Sequence, residues 1–113
     1  MIDWSKVVEL RNDVGAEDFA DVVELFLEEV SEAIAGLAPD AGPDAPEPLA
    51  AKLHFLKGSA LSLGFRAFSG LCEEGEKLCR EGRGSEVDLQ AIRDVYDRSR
   101  AEFIAQLPQR LAA

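Results

Sequence analysis

The sequence predicts an all-α protein, an antiparallel four-helix bundle with a short extra N-terminal helix, and three observations carry that expectation. Apolar residues recur at helical spacing along almost the whole chain, and no segment alternates apolar and polar residues as a half-buried strand would. Four long amphipathic stretches follow one another. The breaks between them are short and rich in proline or glycine, and short connections favour antiparallel neighbours. With 113 residues the chain can build one core but not two, so residues 1–113 are expected to form a single domain.

The first helix is expected from Asp3 to about Arg11, where the Asp3 carboxylate can accept from an open N–H of the first turn. The turn Asn12-Asp13-Val14-Gly15 follows, then a long helix from about Ala16 to Leu37. Its apolar stripe is Phe19, Val23, Phe26, Val30, Ile34 and Leu37, with Glu17, Asp18, Asp21, Glu24, Glu28 and Glu32 mostly off it. Residues 39–48 hold four of the five prolines and read as a loop. The third helix starts near Pro48, since proline in a first turn sacrifices no hydrogen bond, and ends near Gly64. The fourth runs from about Ala67 to Glu81 and is stopped by Gly82 and Gly84. Ser85 with Asp88 three residues on suggests a capping-box start for the fifth. That helix uses Leu89, Ile92, Tyr96, Phe103 and Leu107 before Pro108.

Net charge is −10, from 22 acids against 12 lysines and arginines. Nucleic acids and anionic membranes need a basic footprint, so neither is expected as a partner. No run of 18 or more apolar residues occurs, so no segment is expected to span a membrane. The start MIDWSKVVELRNDVG has no basic leader or continuous apolar stretch, so no secretion signal is expected and a cytoplasmic location is the default. Cys72 and Cys79 stand seven residues apart on one helix, roughly 10 Å along its axis and beyond the ~7 Å reach of a disulfide. They share a face with Phe68, Leu71 and Leu78 and are expected to be small core residues. Their spacing fits no zinc pattern, and the single histidine offers no second imidazole, so no metal or cofactor site is expected.

That histidine, His54, opens the segment HFLKGSALSLG, residues 54–64. On the third helix Leu49, Leu53, Leu56, Ala60 and Leu63 cluster into the core stripe, and His54 lies about 140° from its centre. It is therefore expected on the surface. Gly58 sits one turn further on, where glycine costs about 0.5–1 kcal/mol relative to alanine, and its missing side chain would open the imidazole to a partner. Ala50 one turn back and Leu61 two turns on share this face, which makes it small and apolar, as docking requires. Residues 48–66 contain no acid, although an even spread would place about four there, while Lys52, Lys57 and Arg66 give a cationic island. Lys57, three residues from His54, can reach phosphate oxygens carried on the ring. Ser59 lies near the core edge and is expected to hydrogen-bond backbone or a neighbouring helix; Leu63 and Gly64 are expected to pack and to end the helix.

His54, Lys57, Gly58 and Ser59, with Leu63 and Gly64 beyond them, closely resemble the motif of the histidine-phosphotransfer (HPt) family. The segments VGAEDFADVVELFLEE and GLCEEGEKLCREGR resemble that family's second helix and the helix after its histidine. Two residues depart from the family pattern: Leu53 stands where alanine commonly precedes the histidine, and Gly75 replaces a usual apolar residue. The resemblance implies a helical bundle in which His54 is phosphoacceptor and donor, with Nε2 the reacting nitrogen. It implies response-regulator receiver domains and a hybrid histidine kinase as partners. The receiver would supply its aspartate and Mg²⁺, and this chain would be a carrier, not an enzyme.

The residues agree with that division of labour. An exposed imidazole, with a reference pKa of about 6.5, is mostly a neutral nucleophile above pH 7. Phosphoryl transfer also needs in-line placement and charge on the equatorial oxygens, and no acidic metal cluster or glycine-rich phosphate loop accompanies His54. A monomeric carrier is the simplest expectation. The alternative is a helical interaction module that keeps the bundle without the phosphate chemistry. A histidine-kinase dimerisation segment fits less well, because Phe55 follows His54 where such segments usually carry an acid.

Overall fold

Capping side chains and left-handed glycines set the helix ends of this chain, whose computed structural model describes residues 2–37 and 49–110. Helix α1 spans Trp4–Val14, α2 Phe19–Ala35, α3 Leu49–Ser62, α4 Arg66–Arg80 and α5 Leu89–Arg110, with a 3₁₀ turn over Gly84–Glu86. Asp3 caps α1 as expected, its Oδ1 accepting the Ser5 N–H at 3.2 Å. The helix runs past Arg11, however, because Asn12 to Val14 stay helical until Gly15 takes φ +88°. Residues 16–18 form a turn, so α2 starts at Phe19 and not at Ala16. The expected loop over residues 39–48 and the start of α3 at Pro48 lie outside the described residues.

The start of α5 corrects the sequence expectation. Ser85 lies in the 3₁₀ turn, and Asp88 is the cap, its Oδ1 accepting from the Ala91 N–H at 3.0 Å. Arg83 ties the turn with a two-pronged pair to Glu86 at 2.7 and 2.8 Å, and Val87 then packs against the core. Nor does Pro108 end the helix, which continues to Arg110. Proline removes one N–H donor here, but the last turn is tied down from outside: Leu107 packs against the core and Arg110 lies 5.6 Å above the Trp4 ring.

Antiparallel packing can be read from the contacts. Leu63, Gly64 and Phe65 turn α3 directly into α4. Lys52 near the start of α3 donates to Gly36 O at the end of α2, at 3.3 Å. Arg93 donates to Leu37 O at 2.6 Å, and Tyr96 one turn later reaches Leu27 O and Ser31 Oγ, so α5 descends as α2 rises. Lysine and arginine from two other helices thus satisfy carbonyls that the end of α2 leaves open. The core is the expected stripes: Phe19, Val23, Val30 and Ile34 of α2, Leu49, Leu53, Leu56 and Ala60 of α3, Phe68 and Cys72 of α4, and Ile92, Tyr96 and Phe103 of α5. Phe26 and Leu107 are half-buried at its edge, as is Cys79. Burial pushes the Cys72 thiol up to about 12, with Glu76 adding to the shift and Lys57 opposing it, so it stays a protonated core residue.

Two contacts place α3 against its neighbours. Gly64 sits at φ +76°, its carbonyl accepts from the Asp3 N–H at 2.7 Å, and it lies so close to Asp3 that a Cβ would collide with that backbone. Gly75 answers the question its sequence position raises: it marks a close contact. A Cβ there would fall 2.8 Å from Leu53 Cδ1 and 3.3 Å from Val87 Cγ1. The two departures from the family pattern therefore compensate, a large residue on α3 filling the room left by a missing side chain on α4. Among the described residues, no helix is long and apolar enough to cross a membrane.

Candidate functional site

At the Leu53–Gly75 contact α3 and α4 approach closely, and the next residue of each helix, His54 and Glu76, meet across the seam. The His54 side chain is 72% exposed, as its position on the helical wheel requires. Its Nδ1 lies 3.3 Å from Glu76 Oε1. An ionised carboxylate can only accept, so Nδ1 carries the proton and Nε2 is left with the lone pair of the neutral ring.

Glu76 gathers more than the imidazole. Lys57 Nζ lies 3.1 Å from the same oxygen, and Arg80 Nη1 lies 3.9 Å from Oε2. The carboxylate itself is buried, its side chain 8% exposed. Burial pushes its pKa up, but hydrogen bonds and charge from Lys57, and then from His54, outweigh that and hold it below the ordinary glutamate value. The site is thus a buried anion on α4 that holds a surface imidazole and a lysine of α3.

The predicted residues fall out as follows. His54 and Lys57 come together, but Lys57 is only 23% exposed and its ammonium is turned onto Glu76, not standing free above the ring. Gly58 is exposed with no atom within 4 Å of where a Cβ would lie, so the space beside His54 is open to solvent. Leu61 is 46% exposed on the same face, and Ala50 is half-buried. The Ser59 hydroxyl makes no hydrogen bond among the described residues; Ser69 Oγ instead donates across to Lys57 O at 3.4 Å, a second tie between α3 and α4. The exposed face of α3 is free of acids, but the setting of His54 is not.

Glu76 was not singled out by the sequence pattern, although a signal for it exists. It lies one turn beyond Cys72 and beside Gly75, at the edge of the face that α4 turns to the core, where an acid requires partners. Among the described residues no group of three or more His, Cys, Asp or Glu is placed to hold a metal ion.

No curated protein and no solved structure matches the chain. The family model of the Hpt domain does, over residues 21–113, a span that takes in most of α2, all of α3 to α5, and both His54 and Glu76. This helical bundle, matched over most of the chain and carrying the histidine motif on an exposed helix face, belongs to the Hpt domain family, whose members carry phosphoryl groups on histidine in phosphorelays.

Proposed function

We propose that His54 Nε2 accepts a phosphoryl group from the aspartyl phosphate of one receiver domain and passes it to the aspartate of another. The observation that carries this reading is the hydrogen bond from His54 Nδ1 to buried Glu76, on a ring that is otherwise exposed. In the forward step the Nε2 lone pair attacks phosphorus, the bond from phosphorus to the aspartate oxygen breaks, and the carboxylate leaves. Positive charge grows on the ring as the new bond forms, and the Glu76 carboxylate on the opposite nitrogen is placed to offset it. Lys57, one turn from His54, can swing from Glu76 to the phosphoryl oxygens. Mg²⁺ held by the receiver's own acids supplies the remaining charge on those oxygens.

On this reading the chain has no cofactor of its own and no kinase activity, and it works as a cytoplasmic monomer between a hybrid histidine kinase and receivers. Ala50, Gly58 and Leu61 belong to the face the receiver covers. The test is incubation with a panel of phosphorylated receivers and Mg²⁺, read by phosphate-affinity gel. An acid-labile shift is expected, lost in His54→Gln while helical circular dichroism is unchanged. Lys57→Ala should slow transfer about tenfold, a barrier change of about 1.4 kcal/mol. Acceptance that survives His54→Gln overturns the assignment. A folded protein that no receiver labels is an interaction module without phosphate chemistry.

A further inference from the structure

Resting on that reading, we propose that Arg80 is a positioning residue of the transfer, taking over the charge of Glu76 when Lys57 leaves that carboxylate for the phosphoryl group. The two oxygens of Glu76 are loaded unequally. Oε1 meets both His54 Nδ1, at 3.3 Å, and Lys57 Nζ, at 3.1 Å. Among the described residues Oε2 has only the Arg80 guanidinium, whose Nη1 stands 3.9 Å away, within ion-pair range but too far for a hydrogen bond. Arg80 itself has no other ion-pair partner among the described residues.

Burial is what makes a second cation necessary. The Glu76 side chain is 8% exposed and that of Lys57 23%, so the pair is largely withdrawn from water, whereas Arg80 is 65% exposed. Were Lys57 to swing away with nothing in its place, Glu76 would be left a poorly compensated buried anion, and that penalty would fall on transfer itself. Lys57 would then stay on Glu76 and give the phosphoryl oxygens nothing. His54 cannot replace it, since its one Nδ1 proton is already directed at Oε1. Cys72, one turn before Glu76, keeps its proton and brings no charge.

Arg80 meets the need. It lies one turn beyond Glu76 on α4, and a movement of about 1 Å brings Nη1 to hydrogen-bond distance of Oε2. As the last residue of α4 it also stands where the helix dipole favours a cation, whether or not Lys57 is engaged. The exchange moves cations and no proton. Nε2 bonds to phosphorus, the donor's bond to phosphorus breaks and Nδ1 keeps its proton. Lys57 passes from Oε1 to the phosphoryl oxygens, and Arg80 closes on Oε2 without touching phosphorus or receiver.

The experiment measures initial rates of His54 labelling in wild type, Arg80→Met, Lys57→Ala and the double variant, with circular dichroism as the check on fold. Two donors are used, a phosphorylated receiver and phosphoramidate, a small donor that needs no docking: Nε2 bonds to phosphorus, the phosphorus–nitrogen bond breaks and ammonia leaves. Arg80→Met should slow labelling by both donors about fivefold, and Arg80→Lys should recover most of the loss by keeping a cation at i+4. In the Lys57→Ala background no cation has to be replaced, and Arg80→Met should slow labelling by less than about twofold. Arg100→Met makes the same change in net charge in the groove between α2 and α5, and should stay within about twofold of wild type. A full fivefold loss in the Lys57→Ala background would mean that Arg80 acts on the phosphoryl group directly, and overturns the proposal. So does a wild-type rate in Arg80→Met, an equal loss in Arg100→Met, or a loss seen with the receiver and not with phosphoramidate. If Lys57→Ala labels as fast as wild type, the exchange fails and the histidine carrier stands. If neither donor labels wild type, the carrier reading fails first.

Discussion

A carboxylate removed from water keeps its charge only where cations and donors replace the lost solvent, and Glu76 has Lys57, His54 and Arg80 for that purpose. Its folded pKa lies below the ordinary value, so the stabilisation it gives is complete at neutral pH and is lost as pH falls through that folded value. Glu76→Gln keeps the shape and loses the charge, and should cost about 1–2 kcal/mol at pH 7. In urea unfolding the gap between wild type and variant should narrow as pH falls through the lowered folded pKa of Glu76, because the protonated side chain carries no more charge than glutamine. A gap that is constant with pH would show that charge is not what Glu76 contributes. His54, Lys57 and Gly58 could be found from sequence because their spacing is fixed by one helix. Glu76 belongs to another helix, and its meeting with His54 depends on how closely α4 approaches, which no local spacing encodes.

That approach is set at the level of elements. Leu53 is fully buried, and the space it fills at Gly75 lets α3 and α4 come together just before His54 and Glu76. Gly75→Leu should overpack this seam and cost about 3 kcal/mol, more than the roughly 1 kcal/mol that leaving glycine gains in helix propensity. Adding Leu53→Ala should recover at least about 1 kcal/mol of that loss, because the two side chains compete for one space. Additive costs in the double variant would mean that the seam does not set the helix separation. The helices themselves were legible from their 3.6-residue stripes, as was the Asp3 cap. The starts of α2 and α5 were not: turn residues Ala16 to Asp18 are compatible with helix by composition, and Ser85 is as good a cap as Asp88 until Val87 is seen to pack on the core.

At the scale of the whole molecule, charge is divided unevenly. Residues 16–37 carry seven acids and no lysine or arginine, while residues 48–66 carry three cations and no acid. Along α2, Glu24, Glu28 and Glu32 repeat at four-residue spacing, and each such like-charge pair costs about 0.2–0.5 kcal/mol at low salt. A net charge of −10 adds a longer-range repulsion that salt screens over about 10 Å at 0.1 M. Raising salt from about 10 mM to about 0.5 M should therefore stabilise the protein by about 1 kcal/mol. In Glu24→Gln/Glu28→Gln, most of that gain should already be present at low salt, so the slope of stability against salt flattens. Denaturant midpoints at the two ionic strengths decide it. An unchanged slope in the variant would mean that the repulsion is spread over the whole surface and that α2 is not its centre. A flattened slope would identify α2 as the strained element, whose acids cost the fold stability.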